Sequence, residues 1–110
     1  MPSLTSLVYL NRSPYREAIA CLAEEEGVNA IELHSTLKKR QVELSVWKLK
    51  RALTEMEKSG ILVRVNNRFL FAEEWLEQLM DLMSEFGENI VQLELYNLVI
   101  ERMNEKSGKN

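Results

Sequence analysis

One cysteine, Cys21, cannot form a disulfide within a single copy of this 110-residue chain, and such sparing use of cysteine fits a reducing compartment. One histidine, His34, has no second His, Cys or Asp at ligand spacing, so no metal is expected. No apolar run approaches the roughly 18 residues of a membrane span. Residues 1–10 lack a basic stretch followed by a small-residue cleavage site, so no signal peptide is read there and a cytoplasmic location is expected. There is no repeat, no low-complexity segment, no Gly-rich phosphate loop, no paired catalytic carboxylates and no nucleophile–base pattern. Neither an enzyme nor a cofactor is expected.

What remains is a composition of 45% hydrophobic and 28% charged residues, ordinary for a folded domain of this length. The net charge is -3, but it is unevenly spread. Residues 1–72 carry eleven Lys and Arg against eight acids, and residues 73–110 carry three against nine. The stretch KKRQVELSVWKLKR, residues 38–51, holds six of the fourteen cations, one acid and Trp47. An acidic chain has gathered its positive charge in one place.

Ser13 as N-cap and Pro14 in the first turn open a helix carrying Ala18, Ile19, Leu22 and Ala23, which Gly27 ends. Asn29 and Glu32 form a capping-box pair for a second helix with Ile31, Leu33 and Leu37 on its apolar side. Ser45 caps a third, running through Lys58 to a Ser59-Gly60 stop. ILVRV and RFLF, flanking Asn66-Asn67, read as a hairpin. A two-residue turn would set Arg64 on the face of Phe69 and Phe71. A three-residue loop, 66–68, would group Val63, Val65, Phe69 and Phe71, and this apolar grouping favours the longer loop at the expense of an unfavourable backbone for Arg68. Residues 1–10 are mixed, and a strand pairing with the hairpin is one option.

The tail reads as two helical pieces. Trp75, Leu76, Leu79, Met80, Leu82, Met83 and Phe86 form a stripe about 160° wide at 100° per residue, with the acids opposite. After Gly87, the apolar residues Ile90, Val91, Leu93, Leu95, Tyr96, Leu98, Val99, Ile100 and Met103 spread over more than half the wheel. Met80, Met83 and Met103 sit in these stripes as core residues, and Glu24-Glu25-Glu26 reads as a solvated helix end.

The sequence LTEMEKSGILVRV, residues 53–65, resembles the end of the recognition helix and the start of the wing in transcription regulators of the MarR, ArsR and PadR type. Their pattern is roughly Leu-x-x-Leu-Glu-x-x-Gly-Leu-Ile-x-Arg, matched here by Leu53, Met56, Glu57, Gly60, Ile61, Leu62 and Arg64. Ile31-Glu32-Leu33 and Leu37 resemble the scaffold helix, and Ser45-Val46 the start of the recognition helix. The likeness covers about residues 14–72. It departs in the connection between the second and third helices, which lacks the usual glycine, and in a short, lightly basic wing. The resemblance implies a winged helix-turn-helix, assigned to 1–72. With the helical tail read from its periodicity as a dimerisation segment, 73–110, the expectation is a mainly α fold with a small β-hairpin (α+β) in one compact domain.

On a wheel of the third helix, Val46, Leu49, Leu53 and Met56 face inward. Trp47 lies about 140° and Arg51 about 180° from their centre, with Lys48, Lys50 and Thr54 alongside. An apolar back with long cations in front suits a helix in a major groove. Lys38, Lys39, Arg40, Ser45, Trp47, Lys48, Lys50, Arg51, Arg64 and Arg68 are the expected DNA contacts, with Arg51 suited to guanine and Arg64 and Arg68 near the wing tip. Trp47 has three open readings: burial under residues 41–44, stacking on sugar or an unpaired base, or anchoring a protein partner. For the basic cluster the plain alternative is a solvated face. Cys21 has no general base nearby in sequence.

Each wet apolar side chain in 90–103 forgoes roughly 1.5–3 kcal/mol of burial. The expectation is that Ile90, Val91, Leu93, Leu95, Tyr96, Leu98, Val99, Ile100 and Met103 pack on a second copy. The reading is a homodimeric, sequence-specific double-stranded DNA-binding regulator, with residues 45–58 in the major groove and the wing, 61–71, on the flanking backbone. The alternative is a winged-helix protein-interaction module within a larger assembly.

Overall fold

Asn29 and Glu32 bond each other as a complete capping box: Glu32 N–H donates to Asn29 Oδ1 at 2.8 Å and Asn29 N–H to Glu32 Oε1 at 3.0 Å. A computed structural model describes residues 6–107. Its elements are α1 (Ser6–Asn11), α2 (Tyr15–Glu24), α3 (Ala30–Lys39), α4 (Val46–Lys58), β1 (Leu62–Val65), β2 (Arg68–Phe71), α5 (Glu73–Phe86), a 3-10 turn (Glu88–Ile90) and α6 (Leu93–Ser107). The described chain is thus mainly helical with one small antiparallel hairpin.

The segment before α2 is helix α1, and no strand pairs it with the hairpin among the described residues; residues 1–5 lie outside them. Ser13 does not cap α2. Pro14 takes the cap position without a side-chain bond, and the Ser13 hydroxyl donates to Glu17 Oε1 at 2.6 Å instead.

Two helices end in the same way. At the end of α4, Ile61 N–H reaches the Met56 carbonyl at 2.9 Å, Gly60 N–H reaches that of Glu57 at 3.1 Å, and Gly60 has φ +81°. At the end of α3, Val42 N–H bonds Leu37 and Gln41 N–H bonds Lys38, both at 3.0 Å. Gln41 holds φ 63° there. This left-handed conformation is one that glycine adopts without steric cost. The α3–α4 connection therefore lacks a glycine but keeps the turn that glycine usually makes. His34 stiffens it by donating from Nε2 to the Leu44 carbonyl at 2.8 Å.

The hairpin corrects the expected register. Val65 pairs with Arg68, Arg64 with Phe69 and Leu62 with Phe71, leaving only Asn66-Asn67 in the turn. Both asparagines have positive φ, 53° and 64°, as a two-residue turn matching strand twist requires. Val63 and Val65 consequently face outward at 41% and 51% exposure. The inward set is Leu62, Phe69 and Phe71, with the Arg64 guanidinium carbon 4.8 Å from the Phe69 ring centre. Backbone geometry outweighed the grouping of four apolar side chains. Gly27 N–H to Phe69 O and Phe69 N–H to Val28 O, both 2.9 Å, tie β2 to the α2–α3 connection as a third, one-residue strand.

One core runs through the chain, from Leu10 through Ile19, Leu22, Leu33, Leu49, Leu53 and Leu76 to Leu95 and Val99. Helix α5 buries Trp75, Leu76, Leu79, Leu82 and Met83, and Phe71 stacks on Trp75 at 5.5 Å between centroids. Phe86 departs from the stripe and is 56% exposed.

Helix α6 packs on α2 and α5. Of the nine residues expected to meet a second copy, Val91, Leu95 and Val99 are buried within this chain, which corrects their assignment. The groove between α2 and α5 takes a stripe of α6 as well, so the core is larger than three helices and a hairpin. Leu93 is 69% exposed, and Ile90, Tyr96, Leu98, Ile100 and Met103 are half-buried. Arg102 fastens α6 to both neighbours, bonding Glu26 and, at 2.8 Å, Glu73 Oε1. Glu26 also accepts from Phe71 N–H at 2.8 Å.

Candidate nucleic-acid interface

Ser45 starts α4 by accepting a hydrogen bond from Lys48 N–H at 3.2 Å, so its hydroxyl is a cap. From that fixed start, Leu49, Ala52, Leu53 and Met56 fall on one side and are buried. Val46 is half-buried at their edge. Rotation by helical spacing then forces Trp47, Lys48, Lys50 and Arg51 onto the opposite side, where all four are exposed.

Trp47 is not covered by residues 41–44; it is 67% exposed. Arg51, one turn on, sets its guanidinium carbon 5.5 Å from the indole centre, a cation–π contact worth about 0.5–1 kcal/mol at such exposure. Lys48, Lys50 and Arg51 make no ion pair among the described residues, and neither do Lys38 and Lys39 at the exposed end of α3.

The remaining expected contacts are engaged elsewhere. Arg40 bonds Glu24. Arg64 bonds Glu57 at 2.9 Å and covers Phe69. Arg68 donates from Nη1 to the Gly27 carbonyl at 2.7 Å and to Glu32 Oε1 at 3.0 Å, holding the hairpin to the start of α3. Arg64 and Arg68 lie near the hairpin tip in sequence, yet their head groups turn back to the body of the protein.

Hollows flank the front of α4. One of about 390 Å³ lies towards the start of α2, among Trp47, Lys48, Arg51, Tyr15, Leu44 and Glu55. Another of about 450 Å³ lies beyond the Trp47–Arg51 pair, with Lys50, Thr54 and Lys58. A third of about 300 Å³ separates α4 from the hairpin and the start of α3, with Lys50, Arg64, Asn67 and Ile31 among its walls.

Two residues of this surface escaped the sequence reading. Lys58 has a signal, since it follows Arg51 by two helical turns. Tyr15 has none, because only tertiary packing sets α2 beside α4. Its hydroxyl donates to Glu55 Oε2 at 2.7 Å, and that bond chiefly, with burial and the carboxylate's charge, holds its pKa above the ordinary tyrosine value.

Elsewhere the chemistry is sparse. Among the described residues no group of His, Cys, Asp and Glu is placed to hold a metal ion, and no helix is long and apolar enough to cross a membrane. Cys21 is buried, and burial pushes its thiol up, away from the reactive thiolate. Compared with known proteins, the chain matches no family model, no curated protein and no solved structure.

Proposed function

We propose that this chain is a winged helix-turn-helix protein that binds double-stranded DNA as a homodimer and acts as a transcriptional regulator by occupying its site. In this reading α2, α3 and α4 are the helical triad, α4 lies in the major groove, and the hairpin with its Val28–Phe69 bridge is the wing. One observation carries the proposal: Lys48, Lys50 and Arg51 project from a helix whose other side is locked into the core, and none of them forms an ion pair among the described residues. Cations of that kind release counterions when they meet phosphates, and an arginine among them suits guanine.

The hairpin has a smaller role than its sequence implies. Arg64 and Arg68 would have to exchange Glu57 and Glu32 for phosphates. The proposal therefore rests affinity on α4 and on Lys38 and Lys39.

For the dimer, the supporting feature is a groove of about 580 Å³ between α5 and α6, lined by Met80, Met83, Tyr96 and Ile100, with exposed Phe86 and Leu93 on the same two helices. A two-fold pairing there would cover apolar surface left open in one copy. Sedimentation of the full chain, with Ile100→Glu as the variant, reads this directly: a dimer that becomes a monomer supports it, and a monomer throughout removes it.

DNA binding is tested by mobility shift against random-sequence duplex at low salt. A retarded band that disappears as salt rises is expected, and no shift at an excess of duplex refutes the reading. The exposed Trp47 and Phe86 favour a second reading, a protein-interaction module. It predicts polypeptide partners whose binding survives high salt and needs Trp47 but neither Lys48 nor Arg51.

A further inference from the structure

Trp47 presents more indole than a duplex can use. Paired bases in a B-form stack offer their edges to a groove-bound helix and hide their faces. Yet Trp47 is 67% exposed, its indole is steadied by Arg51, and it borders two open hollows at once.

The hollow towards α2 has a distinct chemical layout. Leu44, Pro14 and Ala52 give it an apolar lining, and Trp47 and Tyr15 contribute aromatic walls. Lys48 and Arg51 supply cations. Its carboxylate, Glu55, uses Oε2 to accept the Tyr15 hydroxyl, leaving Oε1 without a partner among the described residues. At about 390 Å³ the hollow falls in the range of roughly 300–1,000 Å³ that small-molecule sites occupy.

We infer that this hollow is a subsite for one unpaired nucleotide. The base stacks on Trp47, its phosphate meets Lys48 and Arg51, and an exocyclic amino group faces Glu55. Stacking on an aromatic side chain is sequence-tolerant because every base has a face, whereas the free carboxylate oxygen favours a base bearing an amino donor. The inference rests on α4 being a nucleic-acid surface, and it adds that the preferred target carries a flipped, bulged or single-stranded base beside the duplex.

The experiment compares three fluorescent 20-mer probes in one buffer with the full chain: an intact duplex, the same duplex with one unpaired adenine, and the single strand. Binding is read by anisotropy and by quenching of tryptophan emission. Trp75 is buried, so quenching by a stacked base reports Trp47. The unpaired adenine is expected to tighten binding about tenfold, from one stacking contact. In Trp47→Ala the ratio of bulged to intact affinity falls to about one, and Trp47→Phe keeps part of the gain. Unchanged circular dichroism shows that these surface variants fold.

If intact duplex binds and the bulge adds nothing, or the gain survives Trp47→Ala, the subsite is refuted while the DNA reading stands. If the single strand binds and quenches while the duplex does not, the subsite stands and the duplex reading falls. Should no probe bind, both fail. A protein partner that needs Trp47, with every oligonucleotide result unchanged in Trp47→Ala, also overturns the inference.

Discussion

Arg64 and Arg68, on the hairpin, each lie on a carboxylate of their own chain. Lys48, Lys50 and Arg51, on α4, have none among the described residues. In the sequence the two groups look alike, as cations near the expected ligand. In three dimensions one group fastens the hairpin to α3 and α4, and the other faces outward. Exposed ion pairs contribute only about 0–1 kcal/mol to stability. They still matter for recognition, because a paired arginine must give up its carboxylate before it can meet a phosphate. Local charge density is therefore a poor guide to binding until each cation's partner is known.

The sharpest way to break this contrast is the double reversal Lys48→Glu, Arg51→Glu. It is expected to lower duplex affinity by about 100-fold or more at low salt, since four units of charge change on the proposed contact surface. Circular dichroism should be unchanged, because both side chains are exposed. A loss below threefold, measured by anisotropy, would put the contact elsewhere.

A smaller effect is expected where the contrast depends on how α4 is held. Gln41→Gly removes the left-handed strain at φ 63° in the α3–α4 turn and should raise stability by about 1 kcal/mol in urea unfolding, with no change in DNA selectivity. Destabilisation would mean that the Gln41 side chain does something the turn geometry does not reveal.

Glu57→Gln frees Arg64 and removes a negative charge from α4 itself. Affinity should rise about threefold and the salt slope steepen by about one as Arg64 becomes available. A fall in affinity would show that the pair positions Arg64 for DNA. Least of all is expected from Arg68→Ala, within about twofold of the parent in a direct titration, because its guanidinium is already committed to Gly27 and Glu32. A larger loss would make the hairpin a contact after all.

Much of the fold was legible where local chemistry decides it. Asn29 with Glu32, Ser45 with the backbone of Lys48, and Ser59-Gly60 fix element ends through bonds between near neighbours, and each lies where the sequence put it. The amphipathic wheel of α4 also held, so the four residues of its front could be chosen in advance. Of what failed, the hairpin register was decided by local backbone geometry and the rest by long-range packing. The hairpin register turned on positive φ at two asparagines, against an apolar grouping that favoured the other face. Leu95 and Val99 looked available to a second copy because nothing local shows that α2 and α5 leave room for α6. Arg68 reaches a carbonyl 41 residues away, and Tyr15 a carboxylate 40 residues away; no periodicity encodes either.

The most direct test of the central claim is the salt dependence of duplex binding by the full chain. On the proposed surface Lys38, Lys39, Lys48, Lys50 and Arg51 are the expected contacts that form no ion pair among the described residues. The plot of log K against log salt should therefore have a slope of about -4.5 per copy. In the Lys48→Glu, Arg51→Glu variant the slope should flatten together with the loss of affinity. A slope near zero in the parent chain, or one left unaltered by that double substitution, would contradict the account.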